Sequence, residues 1–187
     1  GMADRLATLF NADDLYTTSR TSAYGLATFL GNHDMGRIGS IIYSGATDKG
    51  AALRKAILAQ SMLLLLRGGP VIYYGDEKGM AGNGGDKLAR QDMFATQVES
   101  WKLEARIGSD PIGEGNSFDS TNPIANEIKA LQKIIVNNPA LRSGTQQTLF
   151  AQGQVYVASR YADKQEYLVA FNAADESKTV SVKPITS

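Results

Sequence analysis

Residues 24–37 read Tyr24-Gly25-Leu26-Ala27-Thr28-Phe29-Leu30-Gly31-Asn32-His33-Asp34-Met35-Gly36-Arg37. The run from Tyr24 to Leu30 is short and mostly apolar on both sides, as strands are when helices cover a parallel sheet. Gly31 closes it, and Asn32-His33-Asp34 sits at its C-terminal end. Some forty residues on, Val71-Ile72-Tyr73-Tyr74 is a second β-rich run, ending at Gly75-Asp76-Glu77. Between the two lie a loop, Gly39 to Gly50, and a helix from Ala51 to Arg67, apolar nearly all round in its second half. Gly68-Gly69-Pro70 stops that helix. Strand, helix, strand is the crossover unit of parallel sheets and (β/α) barrels, so the fold class is α/β.

Outward from this unit, Leu6, Ala7, Leu9 and Phe10 share one face of a helix predicted over Ala3 to Tyr16. The stretch Lys78 to Thr121 is glycine-rich and irregular, broken by a short helix around Phe94 to Glu104. It is long for a passive connection, and long ordered loops are usually functional. Asn122 caps a helix with Pro123 at its first position, and Ile124, Ile128, Leu131 and Ile135 recur at helical spacing until Asn137-Asn138-Pro139. From Gln147 the period changes to that of strands: Gln154 to Tyr161, Glu166 to Asn172 and Lys178 to Lys183 read as an antiparallel meander.

Nineteen basic and nineteen acidic side chains cancel, which removes the electrostatic footprint of a nucleic-acid or anionic-membrane binder. The most apolar stretch, Ala56 to Leu66, is interrupted by Gln60 and Ser61 and is far shorter than the roughly 20 residues of a membrane span. With no cysteine there is no disulfide, no thiolate nucleophile and no cysteine-bound zinc. Gly1 ahead of Met2 reads as a tag remnant, and the natural protein is expected to extend upstream.

The segment Asn32 to Arg37 places an imidazole, a carboxylate and a guanidinium at a strand's C-terminal end, where (β/α) barrels gather their catalytic groups. An isolated Asn-His-Asp after a strand serves equally well to cap the following turn. The second strand tips the balance. Thr28-Phe29-Leu30-Gly31-Asn32-His33-Asp34 followed by Gly69-Pro70-Val71-Ile72-Tyr73-Tyr74-Gly75-Asp76-Glu77 resembles the final two barrel strands of the α-amylase family of glycoside hydrolases. Asp86 and Arg90, four residues apart, resemble that family's sugar-holding loop after the last strand.

The resemblance implies that residues 1–142 are the C-terminal part of a (β/α)8 catalytic barrel and residues 143–187 part of a C-terminal β-sandwich domain. It implies that His33 and Asp34 hydrogen-bond the ring hydroxyls of the attacked sugar and stabilise its oxocarbenium-like transition state. Asn32, Arg37, Asp86 and Arg90 become candidate substrate contacts, although charged loop residues more often form ion pairs with one another. Tyr73 and Tyr74 read as packing. The implied ligand is an α-linked glucan or maltooligosaccharide. No cofactor is called for, though calcium is possible in a full-length parent.

Retaining glycosidases need two further carboxyl groups about 5–5.5 Å apart, a nucleophile and a proton donor. In the family that is resembled the nucleophile lies in a Gly-x-Arg-x-Asp-x-x-x-His pattern, and the sole histidine here, His33, is already used. The chain alone is therefore expected not to hydrolyse α-glucans. Two strands cannot close a barrel, so self-association is also expected.

Two other classes are weighed against this. Calcineurin-like metallophosphoesterases also place Gly-Asn-His-Asp after a strand, but their two-metal sites need several histidines and this chain has one. A carbohydrate-binding module would use Tyr156, Tyr161, Tyr167 or Phe171, which at strand spacing are more often core residues. The Gly82 to Lys87 stretch lacks the Gly-Lys-Ser/Thr ending of a phosphate loop, and no Gly-x-Ser-x-Gly elbow is present.

Overall fold

A computed structural model describes residues 1–186. Helix α1 spans Met2–Asp13, the short strand β1 Ala27–Phe29, helix α2 Ile38–Ser44, helix α3 Lys49–Leu65 and strand β2 Gly69–Val71. The one-turn helix α4 covers Glu99–Lys102, α5 Pro123–Asn137 and α6 Pro139–Ser143, before three strands, β3 Thr145–Gln152, β4 Val155–Ala162 and β5 Gln165–Asn172. The chain is thus mixed α/β, a parallel pair of strands with helices leading into a three-stranded antiparallel sheet.

The residues fall into two clusters that do not follow chain order. One contains Gly1–Thr28, Leu64–Gly69 and the chain from Gln132 onward; the other contains Phe29–Leu63 and Pro70–Leu131.

In the first cluster β4 is the central strand of the order β3-β4-β5 and is buried along most of its length. Both hairpins turn in two residues. Gly153 has φ +60 and Asp163 φ +54, the left-handed backbone that tight hairpins require. Phe10 of α1 packs 6.2 Å from the Tyr156 ring. Two buried arginines saturate the surrounding carbonyls. Arg67 pairs with Asp13 and Asp14 and donates to the Phe10 carbonyl. Arg160 donates to the carbonyls of Leu65 at 2.6 Å and Leu141 at 2.9 Å, groups that helix ends leave without partners.

In the second cluster α5 starts as its sequence dictates. Asn122 Oδ1 accepts the Ile124 N–H at 2.9 Å, and Ile124, Ile128 and Leu131 are buried on one face. The Asn122 amide also donates to the Ile107 and Lys78 carbonyls, tying the long connection to the helix. Asp48 Oδ1 accepts the Ala51 N–H at 2.8 Å at the start of α3.

Several expectations need correction. Part of the expected loop 39–50 is α2: Gly39 is buried, and a Cβ there would meet the Met80 carbonyl at 2.5 Å, so close packing imposes a helix that local propensity opposes. The predicted strand at Val71 to Tyr74 pairs only as far as Val71. Beyond it the Tyr74 carbonyl is taken by Arg37, and Gly75 turns the chain at φ +88. The meander begins one strand earlier than read, at β3, while residues 178–183 form no strand.

Candidate functional site

The site grows from a tight turn. Asn32 Oδ1 accepts the N–H groups of Asp34 and Met35, both at 2.8 Å, and the Asn32 N–H donates to the Gly36 carbonyl at 3.1 Å. Gly36 has φ +95, and a Cβ there would sit 2.9 Å from the Gly84 carbonyl, so the closing position takes glycine. The turn raises His33 and Asp34 into solvent with side chains 61% and 72% exposed and His33 Nε2 3.4 Å from Asp34 Oδ2.

A second segment meets it. The Asp86 N–H donates to the Asp34 carbonyl at 2.9 Å, and Arg90 reaches Asp86 Oδ1 at 2.5 Å, Asp34 Oδ1 at 3.6 Å and the His33 carbonyl at 3.4 Å. The structure therefore brings together His33, Asp34, Asp86 and Arg90, four of the six residues singled out in the sequence. Asn32 lies beneath them as the cap of the turn. All four upper side chains are solvent-exposed, so their mutual attraction is screened and weak. The same polar groups remain free to exchange these contacts for hydroxyls.

Arg37 is not among them. Expected as a sugar contact, its side chain is 0% exposed. Nε donates to Gln91 Oε1 at 2.7 Å, and Nη1 donates to the Tyr74 carbonyl at 2.6 Å and to Asp76 Oδ1 at 2.9 Å. The guanidinium lies 4.5 Å from the Tyr73 ring centroid and 5.1 Å from that of Tyr74; Tyr73 packs on it, while Tyr74, expected to pack, keeps 41% of its surface exposed. Tyr73 OH donates to the Ala89 carbonyl at 3.0 Å, and burial pushes its phenol up to about 12. Burial lifts the Asp76 carboxyl to about 6; Arg37 pulls the other way but offsets only part of the desolvation.

Sequence reading missed Gln91 and Asp76 as partners of Arg37. Asp76 lies in the quoted second strand and Gln91 directly follows Arg90, yet no local pattern marks them as partners of an arginine dozens of residues earlier.

The chain matches the model of the α-amylase catalytic domain over residues 5–166. It is 43% identical over 180 residues to an α-amylase of Streptomyces lividans, covering 93% of this chain and 20% of that protein. Over 150 residues it is 33% identical to a cyclomaltodextrin glucanotransferase of Geobacillus stearothermophilus, covering 80% of this chain and 17% of the relative. The structure of a debranching enzyme of Nostoc punctiforme, soaked with acarbose, superposes with a TM-score of 0.60 at 26% identity, over 91% of this chain and 29% of that one. The chain spans about a fifth of the length of the curated relatives it matches. A family-model match over most of its length, joined to the paired strand-tip motifs, makes this chain a member of the α-amylase family of glycoside hydrolases.

Proposed function

We propose that this chain is the part of a retaining α-glucan hydrolase that contributes its transition-state-stabilising pair, His33 and Asp34. Residues 1–142 would be the last two strands and helices of a (β/α)8 barrel, and residues 143–187 part of a β-sandwich domain. The observation that carries the reading is the convergence of His33, Asp34, Asp86 and Arg90 at the tip of β1 in a chain of this family. A carboxylate and an imidazole at that place strengthen their hydrogen bonds to sugar hydroxyls as the ring distorts toward the oxocarbenium ion. Asp86 and Arg90 hold a neighbouring sugar, and Asn32 shapes the turn. Arg37, being buried, is left out of the contact set. The substrate class is an α-linked glucan, in keeping with the acarbose soaked into the related debranching enzyme.

The chain alone does not hydrolyse glucans on this reading, because the nucleophile and the acid/base lie outside it. Of the tail aromatics that a separate binding module would use, Tyr156 and Phe171 are buried and offer a sugar no ring face; Tyr161 and Tyr167 are part-exposed, and the Tyr167 hydroxyl is taken by Asn138. Titration with maltohexaose tests the proposal. Binding should weaken about tenfold in Asp34→Ala, the loss of one or two polar contacts, with no reducing sugar released by either form. Unchanged binding in Asp34→Ala, or turnover that survives that substitution, overturns it.

A further inference from the structure

Resting on that reading of the strand-tip cluster, we infer that Arg37 is a positioning residue that acts through Gln91 to hold Arg90 beside Asp34. The exposed contacts of Arg90 are too weak to fix their own geometry, since ion pairs in water lose most of their attraction to screening and side-chain freedom. Something beneath must set the 3.6 Å separation between Arg90 and Asp34.

The buried guanidinium of Arg37 does this from below. Its Nε donates to Gln91 Oε1, and the Gln91 amide donates in turn to the Leu88 carbonyl at 2.8 Å. Tyr73, stacked on the same guanidinium, donates to the Ala89 carbonyl. The Leu88 and Ala89 carbonyls and the Gln91 side chain are thus pinned around Arg90, whose side chain extends toward solvent. Arg37 also follows Gly36 directly, and the Gly36 carbonyl closes the turn that presents His33 and Asp34. One rigid planar fork, 4.5 and 5.1 Å from the two tyrosine ring centroids, therefore sets the base of the His33-Asp34 turn and the base of Arg90 together. A lysine supplies a charge but not that fork.

Amide hydrogen exchange tests the link without relying on sugar binding. The Asp86 N–H, donated to the Asp34 carbonyl, reports whether the two segments remain joined. Gln91→Leu should accelerate exchange at Asp86 about tenfold and leave the Ile128 and Leu131 amides of α5 within about twofold of their original rates, as local opening does. Gln91→Glu keeps an acceptor for Arg37 Nε but loses the amide that donates to the Leu88 carbonyl, so it should accelerate exchange at Asp86 by about threefold, between the unsubstituted chain and Gln91→Leu. Where Gln91→Leu does not fold, Gln91→Asn retracts the amide by one carbon and should give the same local acceleration. Maltohexaose affinity should fall in parallel with the Asp86 rate. Acceleration spread evenly through α5 makes Gln91 a general packing residue and overturns the inference, as does an unchanged Asp86 rate. Failure of the unsubstituted chain to bind maltohexaose removes the glucan reading, while the exchange comparison still decides the positioning.

Discussion

Asp76 is held in place by opposing forces, and pH separates them. Its side chain is almost wholly buried against Arg37, and desolvation lifts the carboxyl from the ordinary 3.8 to about 6. A carboxyl whose value is higher folded than unfolded favours the folded state when protonated. The stability it contributes is therefore full below about pH 4 and is lost as pH rises through 6, by about 3 kcal/mol at most. Thermal unfolding between pH 4 and 7 should show this declining limb, and Asp76→Ala should abolish it. The same substitution should cost about 3 kcal/mol overall, because the buried Arg37 charge loses the carboxylate it is paired with. A variant with the parent's slope would assign the limb to another group.

Among the elements, β5 carries a second pH response of opposite sign. Glu166 accepts the Ile185 N–H at 2.9 Å, the Ser159 hydroxyl at 2.5 Å and both donors of Thr186, which holds its carboxyl down to about 2 from 4.5. A carboxyl lowered by folding contributes above about pH 4.5 and loses that contribution as pH falls toward 2. Protection of the Ile185 and Thr186 amides, measured against their intrinsic exchange rates, should therefore fall below pH 4, and Glu166→Gln should lower it at pH 7. At α5 the cap decides: Asn122→Ala should cost about 2 kcal/mol by chemical denaturation, the upper end for a lost N-cap, because the side chain also bonds Ile107. That helix was legible to its last residue, since cap, proline and isoleucine spacing all state the same boundary. Helix α2 was not, because Gly39 and Gly45 argue against a helix that only packing against Met80 explains. Strand β3 hid behind Gln146, Gln147 and Thr148, polar residues that belong at the edge of an antiparallel sheet. The exposed cluster was legible at His33 and Asp34 from a strand tip, and at Asp86 and Arg90 only through their likeness to the family's loop after the last strand. The buried role of Arg37 was not, because its partners lie 37, 39 and 54 residues away and leave no periodic trace.

For the molecule as a whole, the question is what covers the apolar surface that the chain leaves in water. Leu15 is 85% exposed, Leu103 81% and Ile41 70%, values far outside those of core leucine and isoleucine. Strands β1 and β2 pair only with each other among the described residues, so each keeps an open edge. Burying one such side chain is worth about 1.5–3 kcal/mol, and an open strand edge templates a further strand. The chain spans about a fifth of the length of the relatives it matches. Copies of the chain are the available cover in a pure preparation. Light scattering should accordingly give a mass above the 20.0 kDa of one chain, rising with concentration across the micromolar range. Replacing Leu15 and Leu103 together by glutamate should shift that curve to higher concentration without altering the unfolding midpoint of the dilute protein, because neither side chain supports the core. A constant 20.0 kDa mass at every concentration, with no uptake of a hydrophobic dye, would mean that the exposed leucines and open edges are tolerated singly.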